Sequence, residues 1–67
     1  MNYYCIYRKV FLGKAFMLKP YRYNHGWPYA FTVTTMKIFI KENKLSKGFY
    51  RVKKIDSKYV CNYKQVH

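Results

Sequence analysis

Between Pro20 and Ala30 the chain places four aromatic rings, Tyr21, Tyr23, Trp27 and Tyr29, beside Arg22 and His25. Rings that reach solvent can stack on nucleobases, and each stack is worth about 1–3 kcal/mol by alanine substitution. A guanidinium such as that of Arg22 bridges phosphates or stacks on a base in its turn. A second set, Lys47, Tyr50, Arg51, Lys53, Lys54 and Lys58, with Lys64 beyond it, crowds cations and a ring into the C-terminal third. Side chains repeat every two residues along a strand, so Arg51 and Lys53 fall on one side, spaced to track neighbouring phosphates. Each set has a plainer explanation. Trp27 and Tyr29 could turn inward to cap a small core, and the lysines could be a solvated face or guards against edge-to-edge sheet pairing. The near absence of carboxylates weighs against that explanation for the cations as a group.

Other chemistry is poorly supplied. Cys5, Cys61, His25 and His67 match a zinc ligand count, but no CxxC or HxxxH pair supplies the usual close spacing, so no metal or other cofactor is expected. With Glu42 and Asp56 as the sole acids, paired-carboxylate catalysis and carboxylate-held magnesium are unsupported. A metal-independent ribonuclease could work with His25, a tyrosine, and Arg or Lys to steady the phosphorane. The composition resembles that of small basic ribonuclease toxins, although no motif of theirs is legible. His25 beside Gly26 also reads simply as a loop histidine. A Gly-rich phosphate loop, an RNA-recognition aromatic signature and a zinc-ribbon pattern are likewise missing from the sequence.

Fourteen Lys and Arg against two acids give a formal charge of +12 in 67 residues. A domain so charged repels itself and is most at ease beside a polyanion. A chain of this length buries only about 60% of its unfolded surface, so large rings must supply much of its core. The 51% hydrophobic content argues against a disordered basic tail and for one folded basic domain over residues 1–67. The cations interrupt every apolar stretch, leaving neither a secretory leader nor a run of about 20 apolar residues able to span a bilayer. The expected setting is cytoplasmic, with Cys5 and Cys61 as free thiols. If both termini form strands, the two cysteines could lie close together and help close the sheet.

The elements that must position these groups read mainly as strands. Residues 3–12 and 15–19 are rich in β-branched and aromatic side chains and flank Gly13, which predicts a hairpin. A short helix within residues 3–18 is the competing reading. Asn, Gly and Pro in residues 21–29 mark a loop. Residues 31–41 read as a strand because β-branching dominates them. Residues 49–55 read as another strand, 56–58 as a turn, 59–63 as the last strand and 64–67 as a frayed end. The sum is a small all-β or β-dominated α+β fold, an antiparallel sheet of about five short strands curled toward an SH3-like or OB-like barrel. Its exposed edges would permit a homodimer.

The composition therefore favours a non-catalytic nucleic-acid-binding protein that grips RNA or single-stranded DNA through phosphate contacts and aromatic stacking. The alternative is a small viral or mobile-element accessory protein that docks on the acidic surface of a host protein. The Lys, Tyr, Asn and Ile richness suits such an AT-rich origin. Docking on a membrane surface ranks below both, since the cations are not gathered on one amphipathic helix.

Overall fold

A computed structural model describes residues 2–66. Five strands form one mixed sheet with a single α-helix: β1 (Tyr3–Leu12), β2 (Ala15–Pro20), β3 (Tyr29–Phe31), α1 (Val33–Glu42), β4 (Tyr50–Ile55) and β5 (Lys64–Val66). Strand β1 organises the sheet. It pairs antiparallel with β2 through residues 7–12, with β4 through residues 3–8, and with β3 at Tyr4 and Phe31. The expected hairpin is present. Leu12 pairs with Ala15 across a two-residue turn, and Gly13 at its first central position has φ 67°, which suits a type II′ hairpin turn. No helix forms in residues 3–18.

The expected barrel does not form. Strand β5 runs parallel to β3 and no pairing joins it to β4 among the described residues, so the sheet stays open. Three local readings also need correction. Residues 31–41 are not a strand: β3 ends at Phe31 and α1 follows. Thr32 and Thr35 enforce that switch with a reciprocal capping box. The Thr32 hydroxyl accepts from the Thr35 N–H at 3.3 Å, and the Thr35 hydroxyl accepts from the Thr32 N–H at 2.9 Å. Residues 59–63 are not a strand either, because Ser57–Asn62 is a 3₁₀ helix started by the Asp56 carboxylate accepting from the Lys58 N–H. Residues 64–66, expected to fray, form β5 instead, and His67 lies outside the described residues.

Both faces of the sheet are packed where β1, β3 and β4 meet. On one face Phe39 of α1 stacks on Phe31, Tyr21 and Tyr29, with ring centroids 4.9, 5.1 and 6.3 Å away. On the other, Cys5, Ala30 and Ile55 pack with Tyr3, Tyr7, Val60 and Tyr63. Neighbouring strand residues serve opposite cores, Cys5 and Ile6 on β1, Ala30 and Phe31 on β3, all four of them buried. Cys61 is exposed on the 3₁₀ helix rather than set in a strand that closes the sheet, and both thiols are free. Past Arg8, where β4 ends, β1 and β2 continue alone as a two-stranded arm. Among the described residues no helix is long and apolar enough to cross a membrane.

Candidate nucleic-acid interface

The register of the β1–β2 hairpin sets Arg8 directly opposite Lys19. Directly opposed strand residues stand about 5 Å apart at Cβ, and like charges there destabilise the pairing. Arg22 comes to the same place from the following loop. With Leu18, Pro20, Tyr21, Asn24 and His25, these three cations line an open cleft of about 600 Å³ that no carboxylate of the described residues lines. Chemically, three cations lining one cleft with no counter-charge among the described residues suit an anion.

The loop that delivers Arg22 is itself a small hairpin. The Tyr29 N–H donates to the Tyr21 carbonyl at 3.0 Å, the Tyr23 N–H to Trp27 at 2.9 Å and the Gly26 N–H to Tyr23 at 2.6 Å. Asn24 and His25 occupy the two central positions with φ of 44° and 63°, the left-handed pair that a type I′ turn requires. Gly26 is needed behind them, since a Cβ there would meet the Tyr23 carbonyl at 3.0 Å. The Arg22 guanidinium donates to the Gly26 carbonyl at 3.3 Å, which holds its fork near the cleft.

Alternation along this hairpin puts Tyr21, Tyr23, Trp27 and Tyr29 on one side and Arg22 on the other. The rings then divide. Tyr21 and Tyr29 pack inward on Phe39. Tyr23 is half-exposed with the Lys64 ammonium 5.3 Å from its centroid, and Trp27 is 60% exposed, not folded over the core.

The C-terminal cations do not form one surface. Arg51 and Lys53 share a face with Tyr7, opposite which Arg51 is paired; Tyr50 and Lys54 point to the other face, opposite Arg8 and Tyr4. Lys47 lies exposed on the 3₁₀ turn Lys47–Phe49, and Lys58 covers its neighbour Tyr59 at 5.3 Å.

A second cation–ring array, which composition alone did not reveal, runs over the sheet face of Arg51 and Lys53. The Lys53 ammonium stands 5.5 Å from the Tyr7 centroid, and that of Lys9 stands 4.9 Å from Phe16. Burial, then the neighbouring Cys5 thiol and Tyr63 hydroxyl, push the Tyr7 phenol up to about 12, and burial also raises the Cys5 thiol. Both therefore stay protonated at neutral pH and serve packing. Arg8, Lys9, Lys19, Tyr7 and Phe16 were all legible in principle. Counting outward from a two-residue turn at Gly13 and Lys14 pairs Arg8 with Lys19 and puts Lys9, Tyr7 and Phe16 on one face.

Among the described residues no three His, Cys, Asp or Glu side chains gather as a metal site. The chain matches no known protein-family model, no curated protein and no solved structure.

Proposed function

We propose that this protein is a non-catalytic nucleic-acid-binding module for RNA or single-stranded DNA. The observation that carries the reading is the opposed Arg8–Lys19 pair with Arg22 in one cleft that no carboxylate of the described residues lines. A fold of marginal size sets like charges face to face, and a bound phosphate turns that repulsion into attraction. Beside the packed Tyr7, the array of Lys9, Phe16, Lys53 and Arg51 then offers the Phe16 ring to a base and cations to the flanking phosphates. On the far side of the loop, Trp27 and Tyr23 supply a further stacking platform.

Fluorescence anisotropy of a labelled single-stranded oligonucleotide tests this, with KCl as the variable. Affinity falls steeply with salt, and the paired substitution Arg8→Ala/Lys19→Ala lowers the log–log slope by about 1.4, two phosphate contacts at about 0.7 each on a single strand. A salt-independent signal, or a slope that the two substitutions leave unchanged, overturns the reading. The same samples separate binding from cleavage, because His25 shares the cleft with the three cations, the arrangement a metal-independent ribonuclease would use. An intact oligonucleotide supports the binding module. Cleavage lost in His25→Ala would support the ribonuclease.

A further inference from the structure

We infer that the free β1–β2 arm is a wedge that enters a groove of duplex DNA and opens a base step. The inference rests on the reading of the Arg8–Lys19–Arg22 cleft as a phosphate seat, and extends it to a substrate class. One face of the arm runs, from its root outward, through the Arg8–Lys19 pair, then Val10 opposite Met17, then Leu12 opposite Ala15 at the turn. Cations thus form a collar and aliphatic side chains form the tip. Leu12 is 63% and Met17 44% exposed, while Val10 nearer the root is half-buried, so the face opens toward its tip.

The dimensions agree with this use. Leu12 lies four strand steps beyond Arg8 in the collar, about 14 Å at roughly 3.4 Å per residue. The grooves of B-form DNA are about 8 Å deep. A collar held at the phosphates therefore brings the Leu12 side chain to the floor of the groove, among the base edges. Leu and Met are among the apolar side chains that part stacked bases and kink a duplex.

Charge decides among the occupants of an exposed apolar tip. A second copy of the chain would bring another +12 against the first. A bilayer would have to take in Lys14, which sits in the turn itself, at a cost of several kcal/mol in hydrocarbon. In a groove, Lys14 and Lys9 lie between two rows of phosphates.

The test uses a duplex of ~20 base pairs with 2-aminopurine in a flexible TA step and a dye pair at its ends. The wild-type protein is expected to bind, raise 2-aminopurine emission as the step unstacks, and bring the dyes closer. Leu12→Ser/Met17→Ser is expected to lose both signals while binding a single-stranded oligonucleotide within about twofold of wild type, since both residues are exposed and lie off the cation–ring face. An unchanged thermal midpoint confirms that the variant is folded. Wild-type binding to the duplex with neither signal, or a double variant that still gives both, overturns the wedge and leaves the phosphate seat standing. Loss of binding to any nucleic acid at low salt overturns the seat itself. Sedimentation with phosphatidylserine vesicles that depends on Leu12 and Met17, without a duplex signal, also overturns the wedge and gives the tip to lipid.

Discussion

The two ends of strand β1 live in different environments. From Tyr3 to Tyr7 it pairs with β4 throughout and with β3 at Tyr4, both faces carry packed side chains, and Cys5 and Ile6 are buried there. From Lys9 to Leu12 it has one partner strand, and the large side chains at its end, Phe11 and Leu12, are exposed. The sequence of the strand changes only in part to match: Tyr3–Tyr7 holds four aromatic or β-branched residues in five, whereas Lys9–Leu12 begins with a cation and keeps two in four. What differs most is how much packs on it: on the arm, Phe11 meets Phe16 and Phe49 with ring centroids 5.9 Å apart, yet all three rings stay about half-exposed. Burial holds the fold together at the root, whereas the arm keeps apolar and cationic groups available at the expense of stability. Packing and exposure are thereby assigned to separate lengths of one strand.

The largest effect expected from breaking this division comes from the root. Phe39 is the ring that ties α1 to Phe31, Tyr29 and Tyr21. Phe39→Ala should cost about 3 kcal/mol, the lower end for truncating a packed phenylalanine. In a domain this small, each 1 kcal/mol moves the thermal midpoint by about 4–8 °C. Leu12→Ala in the arm should move it by no more than surface substitutions do, about 0.5 kcal/mol. Thermal unfolding followed by circular dichroism measures both. Equal losses would mean that the arm is packed after all and would erase the contrast.

The same contrast explains which parts of the fold could be read from the sequence. The hairpin and β4 were legible because a local turn glycine and β-branched alternation both specify them. The α1 helix was not, because Val33, Thr34, Thr35, Ile38 and Ile40 favour a strand by propensity and tertiary packing overrode them. The signals that could have corrected this were the Thr32–Thr35 cap and the spacing of Met36, Phe39 and Ile40, the less exposed side of the helix. Strand β5 was illegible since a three-residue parallel edge has no local signature. It is held by the register with β3 and by the Thr35 hydroxyl donating to the Val66 carbonyl at 3.2 Å. At the candidate site, Arg22, Tyr23 and Trp27 were named from the sequence, but whether the rings face solvent was left open there. The opposed cations Arg8 and Lys19 were not, because they meet only once the hairpin register is worked out.

A smaller effect sharpens the comparison through pH. The Tyr7 phenol is pushed up to about 12 by burial against Cys5 and Tyr63, above the ordinary value near 10 it has in the unfolded chain. Its contribution to stability is whole below pH 10. It is lost as pH rises toward 12, because the unfolded phenol releases its proton first. The Cys5 thiol, also raised, acts in the same direction. The informative quantity is therefore the midpoint of wild type minus that of Tyr7→Phe between pH 8 and 11. A difference that shrinks with rising pH agrees with a protonated, buried phenol. A constant difference would place Tyr7 with the exposed rings of the arm.

The smallest effects concern two left-handed backbone positions, one in each region. Lys44 closes α1 with φ 52°, its N–H bonded to the Lys41 carbonyl at 3.2 Å and that of Leu45 to Ile40 at 3.0 Å. That is a Schellman cap, whose left-handed residue is ordinarily glycine. Gly13, φ 67°, turns the arm, and a Cβ there would meet nothing within 4 Å, so substituting it exacts only the backbone cost. Lys44→Gly should stabilise the whole domain by about 0.5–1 kcal/mol, and Gly13→Ala should destabilise its turn by about 1 kcal/mol. The place where each change is felt carries the lesson. If the arm opens independently of the packed root, Gly13→Ala speeds amide hydrogen exchange in residues 9–18 and leaves the global midpoint alone, while Lys44→Gly raises that midpoint. A Gly13→Ala variant whose root amides lose protection together with those of the arm would show one cooperative unit, and the two lengths of β1 would then share their stability as well as their backbone.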